Sequence, residues 1–210
     1  MQNPNETVPS SDTQKKVKKE KPKKTVGQEI LSWVLTIVGA VAVALVIRYA
    51  LFEPIRVDGE SMTNTLKDNE IVLATKPEYI FGTPQRGDIV ICNYPGRKYK
   101  FLGIIEADQL FVKRLIGLPG DTIEIHGGVV YINGEKAEAL NEPAIDVNVH
   151  DYFTEMAAYT LGEDEYFVMG DNRGNSHDSR YNDVGPLKRD QIVAHVRFVL
   201  FPFDKIRGIQ

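Results

Sequence analysis

The chain has 210 residues, a formal net charge of -4, 42% hydrophobic residues and a single cysteine, Cys92. That length holds one soluble domain with an appendage rather than a multidomain enzyme, and one cysteine excludes an intrachain disulfide, a redox pair and a Cys-rich metal site. An acidic body with no Arg/Lys cluster lacks the phosphate-neutralising face that nucleic acid requires, so nucleic acid is not an expected partner.

The charge is unevenly placed, with seven Lys against four acids in residues 1–29 and 18 basic against 25 acidic side chains in the remainder. The two parts suit different surroundings. Residues 1–27 are polar and Lys-rich, too poor in apolar side chains to offset the entropy of ordering them, and read as a disordered tail.

Ile30 to Ile47 follows without a charge, eighteen residues in all. As a helix this run is roughly 27 Å long, close to the hydrocarbon thickness of a bilayer. With Tyr49, Leu51 and Phe52 as an interfacial extension, a transmembrane helix is expected over 28–52. Lys15, Lys16, Lys18, Lys19, Lys21, Lys23 and Lys24 precede it, while Arg48, Arg56 and Lys67 follow. The positive-inside rule then leaves the tail in the cytoplasm and the body outside. A cleavable secretory signal competes with this reading, since Ala-Val-Ala occurs at 40–42 and 42–44. Both triplets lie inside the apolar run, however, and the run exceeds a typical signal core.

Residues 53–210 read as short strands broken by turns: Ile71 to Ala74, Asp88 to Cys92, Leu110 to Ile116, Thr122 to Ile125, Val129 to Ile132, Glu165 to Met169 and Gln191 to Leu200. Gly127-Gly128 and Asn133-Gly134 are hairpin signals on either side of Val129 to Ile132. Closely spaced strands without alternating helices predict a mainly β protein, an antiparallel β-sheet domain behind one N-terminal transmembrane helix. Residues 134–162, acidic and without a clear period, are expected to form an irregular loop or a small excursion.

Three segments carry candidate chemistry. In Val57-Asp58-Gly59-Glu60-Ser61-Met62 the glycine lets the backbone approach a substrate, and N–H groups beside a nucleophile can hold an oxyanion. Taken alone, such a segment equally describes a turn. In Val112-Lys113-Arg114 the lysine lies within apolar sequence, and strand alternation puts Phe111, Lys113 and Leu115 on one face. An ordinary lysine is neutral at pH 7 in roughly one molecule in 2,500, so a lysine base must be buried to bring its pKa to about 7 or 8. Most strand lysines instead point at water. The third segment, Gly170 to Arg180, packs turn formers, two acids and two arginines together, and its plain reading is a solvated turn.

Together with Arg86-Gly87-Asp88-Ile89-Val90 and Gly117-Leu118-Pro119-Gly120-Asp121, these segments resemble the bacterial type I signal peptidases. That family consists of membrane-bound serine proteases that remove signal peptides from exported preproteins. The resemblance runs from the apolar helix to about Leu200. It implies that Ser61 is the nucleophile, Lys113 the general base, and Ser176 a group that hydrogen-bonds the lysine amine. It implies ion pairs among Arg114, Asp171, Asp178 and Arg180 that hold the site. It also implies an oxyanion hole at Ser61 and Gly59, cleavage after small residues at the first and third positions before the scissile bond, and no cofactor. Expected partners are secreted preproteins, the lipid bilayer and the protein export machinery, at the cell membrane.

Val57, Phe111 and Val112, bulky and close to the dyad in sequence, are candidate pocket walls. No metal is expected, because His126, His150, His177 and His195 lack ligand spacing. The chain departs from the family at Asn64, where proline is usual, and at Gly59, where some members place a serine that completes the oxyanion hole. Two other readings fit parts of the sequence: an anchored β-rich binding protein with Ser61 and Lys113 as ordinary surface residues, and a cytosolic Ser/Lys protease that cleaves itself or a regulator. The Lys-rich tail and apolar helix argue against the second.

Overall fold

The protein was analysed as a computed structural model that describes residues 25–76, 79, 82–101, 104–140 and 154–209. Residues 1–24 of the expected tail and 141–153 of the expected excursion lie outside these. The first element is helix α1, Val26–Ala50. It takes in Val26 and Gly27 from the expected tail and ends before Leu51. Its Val26–Val46 stretch of 21 residues is apolar and unburied, long enough to cross a bilayer. A signal sequence meets the same test.

Among the described residues that follow, every strand pairing is antiparallel. The larger sheet contains β1 (Phe52–Arg56), β2 (Ile71–Thr75), β3 (Ile89–Phe101), β4 (Ile105–Gly117), β9 (Glu165–Met169), β10 (Leu187–Lys188), β11 (Ile192–Phe201) and β12 (Arg207–Gly208). Its strand order is β1-β2-β11-β3-β4-β9-β10, with β12 paired to β11. The smaller sheet orders β7 (Glu135–Lys136), β6 (Val129–Ile132), β5 (Thr122–His126) and β8 (Met156–Thr160) as β7-β6-β5-β8. The chain is therefore mainly antiparallel β behind one N-terminal apolar helix, as the sequence predicts.

β1 and β8 correct the sequence reading. β1 begins at Phe52, a residue assigned above to the helix, and it contains Pro54. An edge strand tolerates proline because one side of it has no ladder to donate to, and β1 is such an edge. β8 lies within 134–162, where an irregular loop was expected. It pairs with β5, Thr122 opposite Thr160, but most of its side chains are exposed, so no apolar alternation marks it.

β3 shows why its sequence is a continuous apolar run. Ile89 and Ile91 pack on one face of the sheet with Val72, Ala74, Ala194, Val196 and Val199, whereas Val90 and Cys92 pack on the other with Leu115, Val168 and Leu187. A strand buried on both faces has no polar side to alternate. The first of these clusters also takes in Met62 and Leu66, both essentially inaccessible. Each buried side chain of this size contributes about 1.5 to 3 kcal/mol of transfer free energy. The turn carrying Ser61 is thus pinned to the core by the residues that follow it.

Candidate active site

The turn is held at several points. Val57 N–H donates to Glu70 O at 2.8 Å, and Asn69 N–H donates to Val57 O at 2.9 Å, closing its base. Arg207 grips the Glu70 carboxylate through both terminal nitrogens, at 2.8 and 2.9 Å, and also donates to Thr65 O at 2.8 Å. From the other side, Asn172 N–H donates to Ser61 O at 2.9 Å and Asn172 Nδ2 to Glu60 O at 3.0 Å. Asn64, which stands where a proline was expected, reaches Asp171 O through its side-chain nitrogen at 3.5 Å. This side chain ties residue 64 to the 170–180 segment.

Segment 170–180 is therefore a brace and not a solvated turn. Asp171 is 1% exposed and accepts two hydrogen bonds from Arg114, Nε to Oδ1 and Nη2 to Oδ2, both at 2.8 Å. Thr65 Oγ1 donates to the same carboxylate, which ties the Ser61 turn to β4. Asp178 and Arg180 form a second buried pair, Arg180 Nε to Asp178 Oδ1 at 2.9 Å and Nη2 to Oδ2 at 3.0 Å. Gly170 N–H donates to Asp178 Oδ2 at 2.9 Å. Bidentate geometry of this kind fixes both partners, and removing one of them leaves a buried charge uncompensated.

Lys113 projects from β4 to within 2.8 Å of Ser61 Oγ. Its amine also donates to Val112 O at 3.1 Å, and it lies 5.2 Å from the centre of the Phe111 ring. The residue is 4% exposed. Burial lowers its pKa to about 8, with the Asp178 carboxylate as the main opposing influence. In the charged state the amine donates to Oγ, whereas in the neutral state its lone pair accepts the Ser61 hydroxyl proton. Close to neutral pH the pair therefore already holds a usable fraction of base.

This burial carries a stability cost with a definite sign. The lysine pKa falls from 10.5 to about 8 on folding, so the unfolded chain binds the proton more tightly. The cost grows as pH drops through that window and is complete below about 8, amounting to about 3 kcal/mol. Lys113→Met removes the charge but keeps the length. It is expected to be more stable than the parent at pH 6 by up to about 3 kcal/mol, an advantage that shrinks towards pH 10.5. Denaturant unfolding at the two pH values checks this, and equal differences at both would contradict it.

Ser61 and Lys113 open into a cleft of about 280 Å³. Its walls include the three residues proposed from sequence, Val57, Phe111 and Val112, together with Ile55, Met62, Ile91 and Leu110. Tyr94, Gln109, Asn175 and His177 also line it. Sequence reasoning missed these four. Tyr94 precedes Pro95-Gly96, which reads as the end of a strand, nothing local marks Gln109, and Asn175 and His177 lie in the 170–180 segment but were not read as cleft walls.

Two expected contacts are not made. Gly59 N–H donates to Asp68 Oδ1 at 3.0 Å, so it serves the turn rather than an oxyanion. Ser176 Oγ is buried and has no hydrogen-bond partner among the described residues; the Lys113 amine instead has Ser61 Oγ and Val112 O as acceptors. Ser176 packs against Gly170 so closely that a Cβ built on that glycine would lie 2.2 Å from Ser176 Oγ. Among the described residues no group of three His, Cys, Asp or Glu side chains could hold a metal ion. Cys92 is completely buried beside Lys113, and burial raises its thiol pKa far above the ordinary range.

Comparison with known proteins matches residues 30–201 to the family model described as "Signal peptidase, peptidase S26". Signal peptidase I of Bacillus amyloliquefaciens is 38% identical over 198 residues, covering 91% of this chain and 98% of that protein. Signal peptidase I T of Bacillus subtilis (strain 168) is 39% identical over 203 residues, covering 92% of this chain and 97% of that protein. A crystal structure of a signal peptidase I from Enterococcus faecalis V583 aligns with 61% of this chain and 97% of that chain, at 29% identity and a TM-score of 0.38.

Proposed function

This chain belongs to the signal peptidase family, peptidase S26, and from that premise we propose that it removes signal peptides by a serine/lysine mechanism centred on Ser61 and Lys113. The observation that carries this reading is the Lys113 amine, 4% exposed and 2.8 Å from Ser61 Oγ at the floor of an open cleft. A hydroxyl becomes a nucleophile when a positioned base takes its proton, and a buried amine near pKa 8 can do so.

Ser61 Oγ attacks the scissile carbonyl carbon as its proton passes to Lys113 Nζ. The carbonyl oxygen becomes an oxyanion, which the Ser61 N–H receives. The ammonium then returns the proton to the leaving amine, and the C–N bond breaks to leave an acyl-serine. Water attacks that ester, losing a proton to the amine again, and Ser61 is restored. Arg114, Asp171, Asp178 and Arg180 keep the two strands and the turn in register. Ser176 packs against Gly170 beside them.

The substrate peptide lies extended in the cleft, where Val57, Phe111 and Val112 admit only small side chains at the first and third positions before the cut. Helix α1 anchors the chain in the cell membrane, with the Lys-rich N-terminus cytoplasmic and the β-domain outside. Tethering raises the local concentration of membrane-bound preproteins delivered by the export machinery.

A peptide with alanine at both small-residue positions, cleaved by the detergent-solubilised protein, tests the assignment through pH. Turnover should rise about tenfold per pH unit below the lysine pKa and level off near pH 8, because the neutral amine is the active form. A chemical step indifferent to pH between about 6 and about 9 would rule out this base.

A further inference from the structure

Tyr94, on β3, lines the cleft and is 7% exposed. Its ring is fixed on three sides. The Phe111 ring lies 5.0 Å away and tilted, the His177 ring 5.8 Å away and edge-on, and the Arg97 guanidinium carbon 4.2 Å above the ring centre. His177 is in turn held by Asp183, with Nε2 2.8 Å from Oδ1, and by the Tyr181 ring at 4.1 Å. The phenol thus has little freedom to search for a partner. Its hydroxyl nevertheless is buried without any hydrogen bond among the described residues.

That is unusual for a tyrosine, whose hydroxyl normally finds a partner when buried. Tyr79, equally inaccessible at 7%, donates to Asp88 Oδ2 at 2.7 Å. Leaving a buried hydroxyl unsatisfied is unfavourable in the free protein, and phenylalanine would fill the same space without that penalty. A polar atom kept at this cost, on a residue that lines the cleft holding the dyad, is accounted for when the occupant of the cleft displaces the side chains that cover the hydroxyl and brings the missing acceptor. An extended peptide brings a row of backbone carbonyls.

We propose that Tyr94 is a substrate-binding residue: its hydroxyl donates a hydrogen bond to a backbone carbonyl of the bound peptide, while its ring forms a fixed wall of the cleft with Phe111 and His177. This rests on the peptidase reading above. The contact is to peptide backbone and not to the reacting atoms, so it forms in the ground state and persists through the reaction. Such a contact acts on KM and leaves kcat alone.

Tyr94→Phe tests the proposal with the full-length, detergent-solubilised protein and the alanine-containing peptide. KM is expected to rise about fivefold to tenfold, kcat to stay within about twofold, and the rise in rate to pH 8 to be unchanged. The unfolding midpoint of the variant should equal or exceed that of the parent, because it loses an unsatisfied group and not a bond. An unchanged KM overturns the proposal, as does a lowered midpoint with kcat and KM falling together, which would mark the hydroxyl as structural. Failure of the parent to cleave the peptide would instead sink the peptidase reading, so the two outcomes are distinct.

Discussion

Lys113→Arg is expected to lower kcat by at least about a thousandfold, in line with the loss of a positioned general base. Arginine preserves the positive charge, the length and the capacity to donate to Ser61 Oγ, but its guanidinium does not give up a proton at any pH the protein survives. It therefore separates a base from a mere hydrogen-bond donor. Ser61→Ala, which leaves the amine in place without a nucleophile, should lose at least as much. Effects of residues that act as a unit are not additive, so the double variant is expected to be no worse than the poorer single one. Burst and steady-state cleavage of the alanine peptide measure this. An arginine variant with more than about a tenth of parental activity would remove Lys113 from the chemistry.

Gly170→Ala is expected to cost about a hundredfold in kcat, the scale associated with displacing a reacting group by about 1 Å. A Cβ at this position would lie 2.5 Å from Ser61 O, 2.5 Å from Ser176 Cβ and 2.2 Å from Ser176 Oγ. Ser176 can be trimmed, but the Ser61 carbonyl is backbone and its own hydrogen bond from Asn172 holds it in place. The methyl group is accommodated only if the nucleophile turn or the brace moves. Gly170→Ala combined with Ser176→Gly should consequently recover little activity, and full recovery would show that only the serine side chain stands in the way. An unfolding curve on each variant separates displacement from collapse.

The strands most legible in the sequence were those bounded by turns with only one conformation to offer. Val129–Ile132 matches its expected limits because Asn133 and Gly134 take φ values of 54° and 80°, and Gly127 and Gly128 take 56° and 79°, the two-residue pattern of a tight hairpin. β3 and β4 both run further than expected, continuing to Phe101 and starting from Ile105. Pro95-Gly96 suggests a stop, yet the ladder resumes after an irregularity between Asn93 and Lys98. The dyad was legible only because several motifs occur in one order. Its burial was not, since Lys113 meets Ser61 and feels the charges of Cys92 and Asp178 from distant parts of the chain. Gly170 was illegible for the same reason: what makes it a glycine is the backbone of residue 61.

Cys92 gives the folded protein a practical property. A thiol with no solvent access and scarcely any thiolate reacts slowly with alkylating reagents. Because it is the sole sulfhydryl, a cysteine introduced on the surface can carry a fluorophore or spin probe without first mutating the parent. Maleimide labelling of the untouched protein, conversely, serves as a clock for global opening.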